Sequence, residues 1–207
     1  MMQSANTANE TNVRPGLLLI IVYLCLQELV RRFITGPYVF LYLRLLFIIG
    51  VAWFYNRRDP KNPLSDLFGI GKLTARSFKI LIVFLPICLF VRTIAHALLG
   101  HNDFIQLTIN CSGLVNFADN CIFSPINEEL VFRGLFLSIL LRELKSPTAA
   151  ILLSACIFAN CHIGGIEVFV APIIVGILCG IEYFRSKSIV VPMVMHSIWN
   201  VVIFAPV

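Results

Sequence analysis

Charge is scarce in this sequence. Lys, Arg, Asp and Glu make up 13% of its 207 residues, against about a quarter in soluble globular domains. That excludes an ordinary soluble domain. Paired cysteines are lacking as well: the seven cysteines lie mostly inside apolar runs and show no CxxC spacing. This argues against a disulfide framework or a cysteine zinc site and for small buried apolar residues. No basic patch is interleaved with exposed aromatics, which removes nucleic acid as a partner. Residues 1–16 are polar and contain no basic segment leading into an apolar one. They are expected to form a loose tail rather than a signal peptide. There is no internal repeat and no low-complexity tract.

What fills the sequence is apolar. Hydrophobic residues account for 58% of it and the mean hydropathy is +0.89. Hydropathy and breakers divide residues 17–207 into about seven stretches of membrane-spanning character. They lie near 17–34, 38–55, 77–99, 121–141, 148–162, 167–184 and 189–204. Residues 100–120 are too polar to span alone. The expected fold is therefore all-α, a single polytopic transmembrane bundle in residues 17–207. The loop charges suggest its orientation. Arg14, Arg57, Arg58, Lys61, Lys72, Arg76, Arg142, Lys145, Arg185 and Lys187 fall on one side, and Arg31 and Arg32 on the other. By the positive-inside rule the first side, with the N-terminus, is cytoplasmic.

Ionisable groups inside a bilayer are costly unless they are paired or hydrated, so a cluster of them needs a reason. The fourth span carries Asn127-Glu128-Glu129-Leu130-Val131-Phe132-Arg133-Gly134. On a helix Glu129 and Arg133 share a face and neutralise each other. That pair reads as structural. Glu128 is turned away from it by about 100° and reads as functional. His162 closes the fifth span. His196 lies within the seventh, four residues before Asn200 and on the same face. The fourth and fifth spans are antiparallel neighbours, so Glu128, His162, His196 and Asn200 are expected to converge in one cavity.

That set has the parts for peptide hydrolysis. A partly desolvated carboxylate can act as general base on a water that a histidine helps to order. His196 and Asn200 can donate to the oxyanion that forms at the scissile carbonyl. Alternatively, Glu128, His162 and His196 can hold a divalent metal such as zinc, which activates the water. The spacing is not the HExxH of soluble zinc proteases.

EExxxR from Glu128, FxxxH from Phe158 and HxxxN from His196 occur in this order, each on its own apolar helix, with Gly134-Leu135-Phe136 after the arginine. Together they resemble the CPBP family, the type II CAAX prenyl endopeptidases and bacteriocin-processing proteins also called Abi proteins. The resemblance covers residues 121–204. It implies an intramembrane endopeptidase in which Glu128 activates water and His162, His196 and Asn200 share the site. Glu129, Arg133 and Phe158 fill the supporting positions. The substrate it implies is a membrane-associated or prenylated peptide or protein, and the family is usually labelled a metalloprotease. A CAAX substrate is cytosolic, whereas the loop charges put the catalytic ends of the fourth and fifth spans outside. A catalytically silent scaffold or bacteriocin-immunity protein is the alternative of another class, and a small proton-relaying transporter is weaker. Small size and the lack of extra domains point to a bacterial cell membrane.

The remaining polar residues within spans have simpler readings. Arg44 and Arg92 are expected to snorkel or to pair across helices with Glu28 or Glu182, lining the substrate cavity being the alternative. Gly176 and Gly180 form a GxxxG suited to close helix packing. Phenylalanines are read as core or lipid-facing, with contact to a lipidated substrate left open for Phe123 and Phe132.

Overall fold

The computed structural model describes residues 20–26, 74–99, 111–162 and 166–204, together with 18, 46, 49, 50, 53 and 57. Apart from residue 74 and short connections at 144–146, 161–162 and 187–189, every described residue is helical, and no strand occurs among them. The all-α expectation holds. Most of the first two expected spans, including Glu28 and Arg44, lies outside the described residues.

Helix α1 runs over Ala75–Leu99. Its start is fixed by a reciprocal cap. The Ser77 N–H donates to Thr74 Oγ1 and the Thr74 N–H donates to Ser77 Oγ, both at 3.3 Å. Within α1, Ala75–Ile94 is a stretch of 20 residues long and apolar enough to cross a membrane. One side of α1 leaves Phe78, Ile82 and Phe90 exposed, while Phe84 and Cys88 are buried. Phe84 and Cys88 pack with Val175, Cys179, Val191, Met195 and Trp199 in one of two apolar cores.

Helix α2 is a continuous rod over residues 111–143. At about 1.5 Å per residue it reaches roughly 50 Å. The sequence suggested a span at 121–141 with room for an earlier helix start, and the helix does start ten residues earlier, within the segment judged too polar to span. Its hydrogen bonding changes register along the way. Cys111–Ala118, Ser124–Glu129 and Ser138–Glu143 are α-helical, whereas Asp119–Phe123 and Leu130–Leu137 are wider π turns. The chain nevertheless keeps right-handed helical dihedrals at the joins, with Ser124 at φ −62°, ψ −49° and Leu130 at φ −58°, ψ −43°. Such insertions arise where the ordinary ladder is interrupted. Pro125, which has no N–H to offer, lies two residues after the end of the first of them.

Three further helices complete the bundle: α3 over Pro147–Asn160, α4 over Ile166–Ser186 and α5 over Val190–Phe204. Ser146 caps α3, its hydroxyl accepting from the Ala149 N–H at 3.3 Å, and Pro147 occupies the first turn, where no N–H is needed. Helices α3 and α4 pack closely because Gly176 and Gly180 allow it. A Cβ on Gly176 would meet the Ala155 Cβ at 3.0 Å, and one on Gly180 would meet Ile151 Cγ2 at 3.0 Å. The GxxxG is thus used inside the bundle. The second core joins α2, α3 and α4 through Val131, Phe132, Phe136, Ile151, Phe158 and Tyr183. Ile20 and Tyr23 dock on it, with Tyr23 edge-on to Phe136 at 5.2 Å. Phe132 is 1% exposed, which rules it out as a contact for a lipidated substrate. Phe123 is exposed.

Candidate active site

The site lies between the two cores, where α2, α3, α4 and α5 meet. Its innermost element is an ion pair. Arg133 Nη1 lies 2.9 Å from Glu129 Oε1, and both side chains are buried. The guanidinium is held by two further contacts. Its Nη2 donates to the Gly176 carbonyl at 3.2 Å, and its Cζ lies 4.7 Å above the centre of the Phe158 ring. A charge buried this deeply is tolerable only with such partners. The expected Glu129–Arg133 pair is present.

Glu129 does more than neutralise Arg133. Its Oε1 also lies 2.9 Å from His196 Nδ1. A carboxylate can only accept, so Nδ1 is the donor. In the neutral ring, His196 Nε2 therefore carries the lone pair. His162 is fixed in the same way from its own helix end: its Nδ1 donates to the Phe158 carbonyl at 3.0 Å. Its Nε2 is likewise the lone-pair nitrogen. Phe158 packs edge-on to both rings, at 4.6 Å from His162 and 5.5 Å from His196. One aromatic side chain thus spaces the two histidines and carries the arginine.

Glu128 faces this arrangement from α2. Its Oε2 lies 3.8 Å from His162 Nε2 and 3.9 Å from His196 Nε2. These distances are too long for direct hydrogen bonds. Its other oxygen, Oε1, accepts a 2.6 Å hydrogen bond from Ser124 Oγ, one turn earlier. Thus Oε2 and two imidazole lone pairs point to one place, a constellation suited to a species that donates to or binds all three. The Glu128 side chain is 11% exposed, His196 4% and His162 32%. The site opens past His162.

Glu128, His162 and His196 are therefore brought together, with Glu129, Arg133 and Phe158 behind them. Asn200 is held differently. Its Nδ2 donates to the Asn120 carbonyl at 2.7 Å, which ties α5 to the first π turn of α2. Among the described residues, no group of three or more His, Cys, Asp or Glu side chains is arranged to hold a metal ion. Two imidazole nitrogens and a carboxylate, one imidazole backed by a second carboxylate, are nonetheless donors of the type zinc takes.

Sequence reasoning missed Ser124 and the second role of Glu129. The signal for Ser124 is present, since it precedes Glu128 by one helical turn and shares its face. No pattern within α2 announces that Glu129 reaches α5. Of the arginines read as structural, Arg92 is half-buried. Glu182, offered as its partner, lies in the field of Arg76 and Arg185.

Residues 110–202 match the family model described as type II CAAX prenyl endopeptidase Rce1-like. This stretch is similar to that family of membrane-embedded proteases, the one its motifs resemble. It contains every residue of the site just described. Comparison with curated proteins and with solved structures gave no match.

Proposed function

We propose that the protein is a polytopic intramembrane endopeptidase that hydrolyses a peptide bond of a membrane-associated or prenylated substrate with a water activated by Glu128. The observation that carries this reading is the meeting of Glu128 Oε2 with two histidine Nε2 atoms whose Nδ1 atoms are both engaged elsewhere. A water at that point would give a proton to Oε2 and attack the scissile carbonyl. Ser124 holds Oε1, so the proton goes to the other oxygen. His162, the more exposed of the two rings, orients the water. Asn200 donates to the carbonyl oxygen as it becomes an oxyanion, and His196 does so through Nε2 only when its ring is doubly protonated, a cation that the Glu129 carboxylate on Nδ1 stabilises. The proton taken by Glu128 then passes to the leaving amine. Glu128, His162 and His196 are also the residues that would hold a divalent ion such as zinc, whose contribution would be to lower the pKa of a bound water.

The test pairs the wild type with Glu128→Gln on a panel of prenylated and unprenylated membrane peptides, with and without chelator, read by mass spectrometry. Cleavage by the wild type, with a loss on the order of 10³-fold or more in the variant, supports the proposal. The chelator arm separates zinc-dependent from metal-free turnover. A variant that cleaves normally removes Glu128 from the mechanism. A folded wild type that cleaves nothing transfers the weight to a silent scaffold or immunity protein of the same family.

A further inference from the structure

The first π turn of α2 lies outside every motif so far used, yet it touches the site. In an α-helix the Asn120 carbonyl would accept from the Ser124 N–H. Here the Ser124 N–H reaches one residue further back, to the Asp119 carbonyl. In that wider register the next donor in line for Asn120 is residue 125. Residue 125 is proline, buried and without an N–H. The sequence thus deprives the Asn120 carbonyl of any donor from its own helix. A backbone carbonyl left without a partner in its own helix is open to a donor from elsewhere. The donor supplied is Asn200 Nδ2, from α5, at 2.7 Å.

The contact has a directional consequence. An Asn amide has an acceptor end and a donor end. A carbonyl partner accepts only from the donor end. With Nδ2 committed to Asn120 through one hydrogen, its second hydrogen is fixed in the amide plane. We infer that Pro125, by freeing the Asn120 carbonyl, is a positioning residue that sets the orientation of Asn200 for its contact with the substrate oxyanion. The inference rests on the endopeptidase reading above. Asn120 takes part through its backbone alone. Its own side chain turns back along the helix, Nδ2 donating to the Asn116 carbonyl at 2.8 Å.

Pro125→Ala restores an N–H at residue 125 and gives the Asn120 carbonyl a donor from its own helix. Two readouts test the result. With asparagine labelled by nitrogen-15 and the protein in detergent, the Asn200 side-chain resonances are identified by their loss in Asn200→Ala. They should move in Pro125→Ala and stay in place in Pro147→Ala. In kinetics, Pro125→Ala should lower kcat by roughly tenfold with KM within about twofold, a transition-state loss. In an Asn200→Ala background the same substitution should have no further effect on kcat, since the group it orients is gone. N-methylalanine at position 125, which like proline has no N–H, should restore both the resonances and kcat. It also serves as the test should Pro125→Ala not fold, because it must then behave as wild type.

An unmoved Asn200 resonance overturns the inference, and so does an N-methylalanine variant that behaves unlike wild type. Equal losses from Pro125→Ala in both backgrounds overturn it too, because they would show that Pro125 acts through the fold alone. These failures leave turnover by the wild type intact. Absence of turnover by a folded wild type is the separate failure of the endopeptidase reading, and it removes the catalytic role of Pro125 as well.

Discussion

The two π turns of α2 differ in where they lie and in what their displaced carbonyls meet. The second, Leu130–Leu137, is sealed: Val131 to Leu137 are all buried. Its carbonyls are met by hydroxyls, Phe132 by Ser154 Oγ at 3.1 Å and Arg133 by Ser138 Oγ at 3.2 Å. Ser138 in turn lies 2.8 Å from the Tyr183 hydroxyl. These contacts bind α2 to α3 and α4. The first turn, Asp119–Phe123, is open, with Ile122 and Phe123 exposed. Its carbonyl at Asn120 is met by Asn200 of α5. One irregularity thus serves as a joint in the scaffold, while the other holds the side chain that the proposed mechanism assigns to the oxyanion.

Four substitutions would sharpen or break this contrast. Arg133→Ala should have the largest effect. It strands the buried Glu129 carboxylate, and breaking a buried pair costs about 3–5 kcal/mol. Thermal unfolding in detergent should show a protein barely stable, and an unchanged midpoint would remove the ion pair as the keystone of the sealed turn. Asn200→Ala should come next, lowering kcat by roughly 10²–10³-fold with a comparatively small change in stability. A stability loss matching that of Arg133→Ala would make the open turn a scaffold joint like the other. Gly176→Val forces atoms into Ala155 and Phe158. It should cost about 1–3 kcal/mol and weaken the Gly176 carbonyl contact to Arg133, lowering the unfolding midpoint. An unaltered midpoint would mean that the α3–α4 contact is looser than it looks. Ser154→Ala should be the mildest, about 1 kcal/mol of stability, with kcat unchanged. A loss of turnover in that variant would tie the sealed turn to the chemistry and erase the distinction.

The sequence disclosed the helices more readily than their connections. Apolar runs ending at Pro147, Gly164-Gly165 and Ser186 to Ser188 placed α3, α4 and α5 within two residues of their observed limits, because breakers act locally. How far α2 extends before residue 121 was hidden. Its first turns contain Asn116, Asp119 and Asn120, and such composition resembles a loop when the stabilising partners lie on a distant helix. The Glu129–Arg133 pair was legible for a simple reason: both residues lie on one helix, at a spacing where side chains meet. The reach of Glu129 to His196, 67 positions away, was not, since it depends on how α2 and α5 cross. Asn200 was recognised by its spacing from His196. Its attachment to Asn120 could not be foreseen, because the partner is a carbonyl freed by a change of register.

Helix α3 has 14 residues, a length of about 21 Å. A bilayer's hydrocarbon slab is about 30 Å thick. In a membrane setting, His162 follows a rod that falls short of the slab by nearly a third. Such a mismatch is relieved by local thinning of the lipid or by polar groups drawing the interface inward. If α3 spans, either response would bring the aqueous boundary towards the exposed edge of the His162 ring. Hydrolysis consumes water as well as peptide. The brevity of one helix would therefore supply this second reactant from one side of the membrane, with no channel through the bundle.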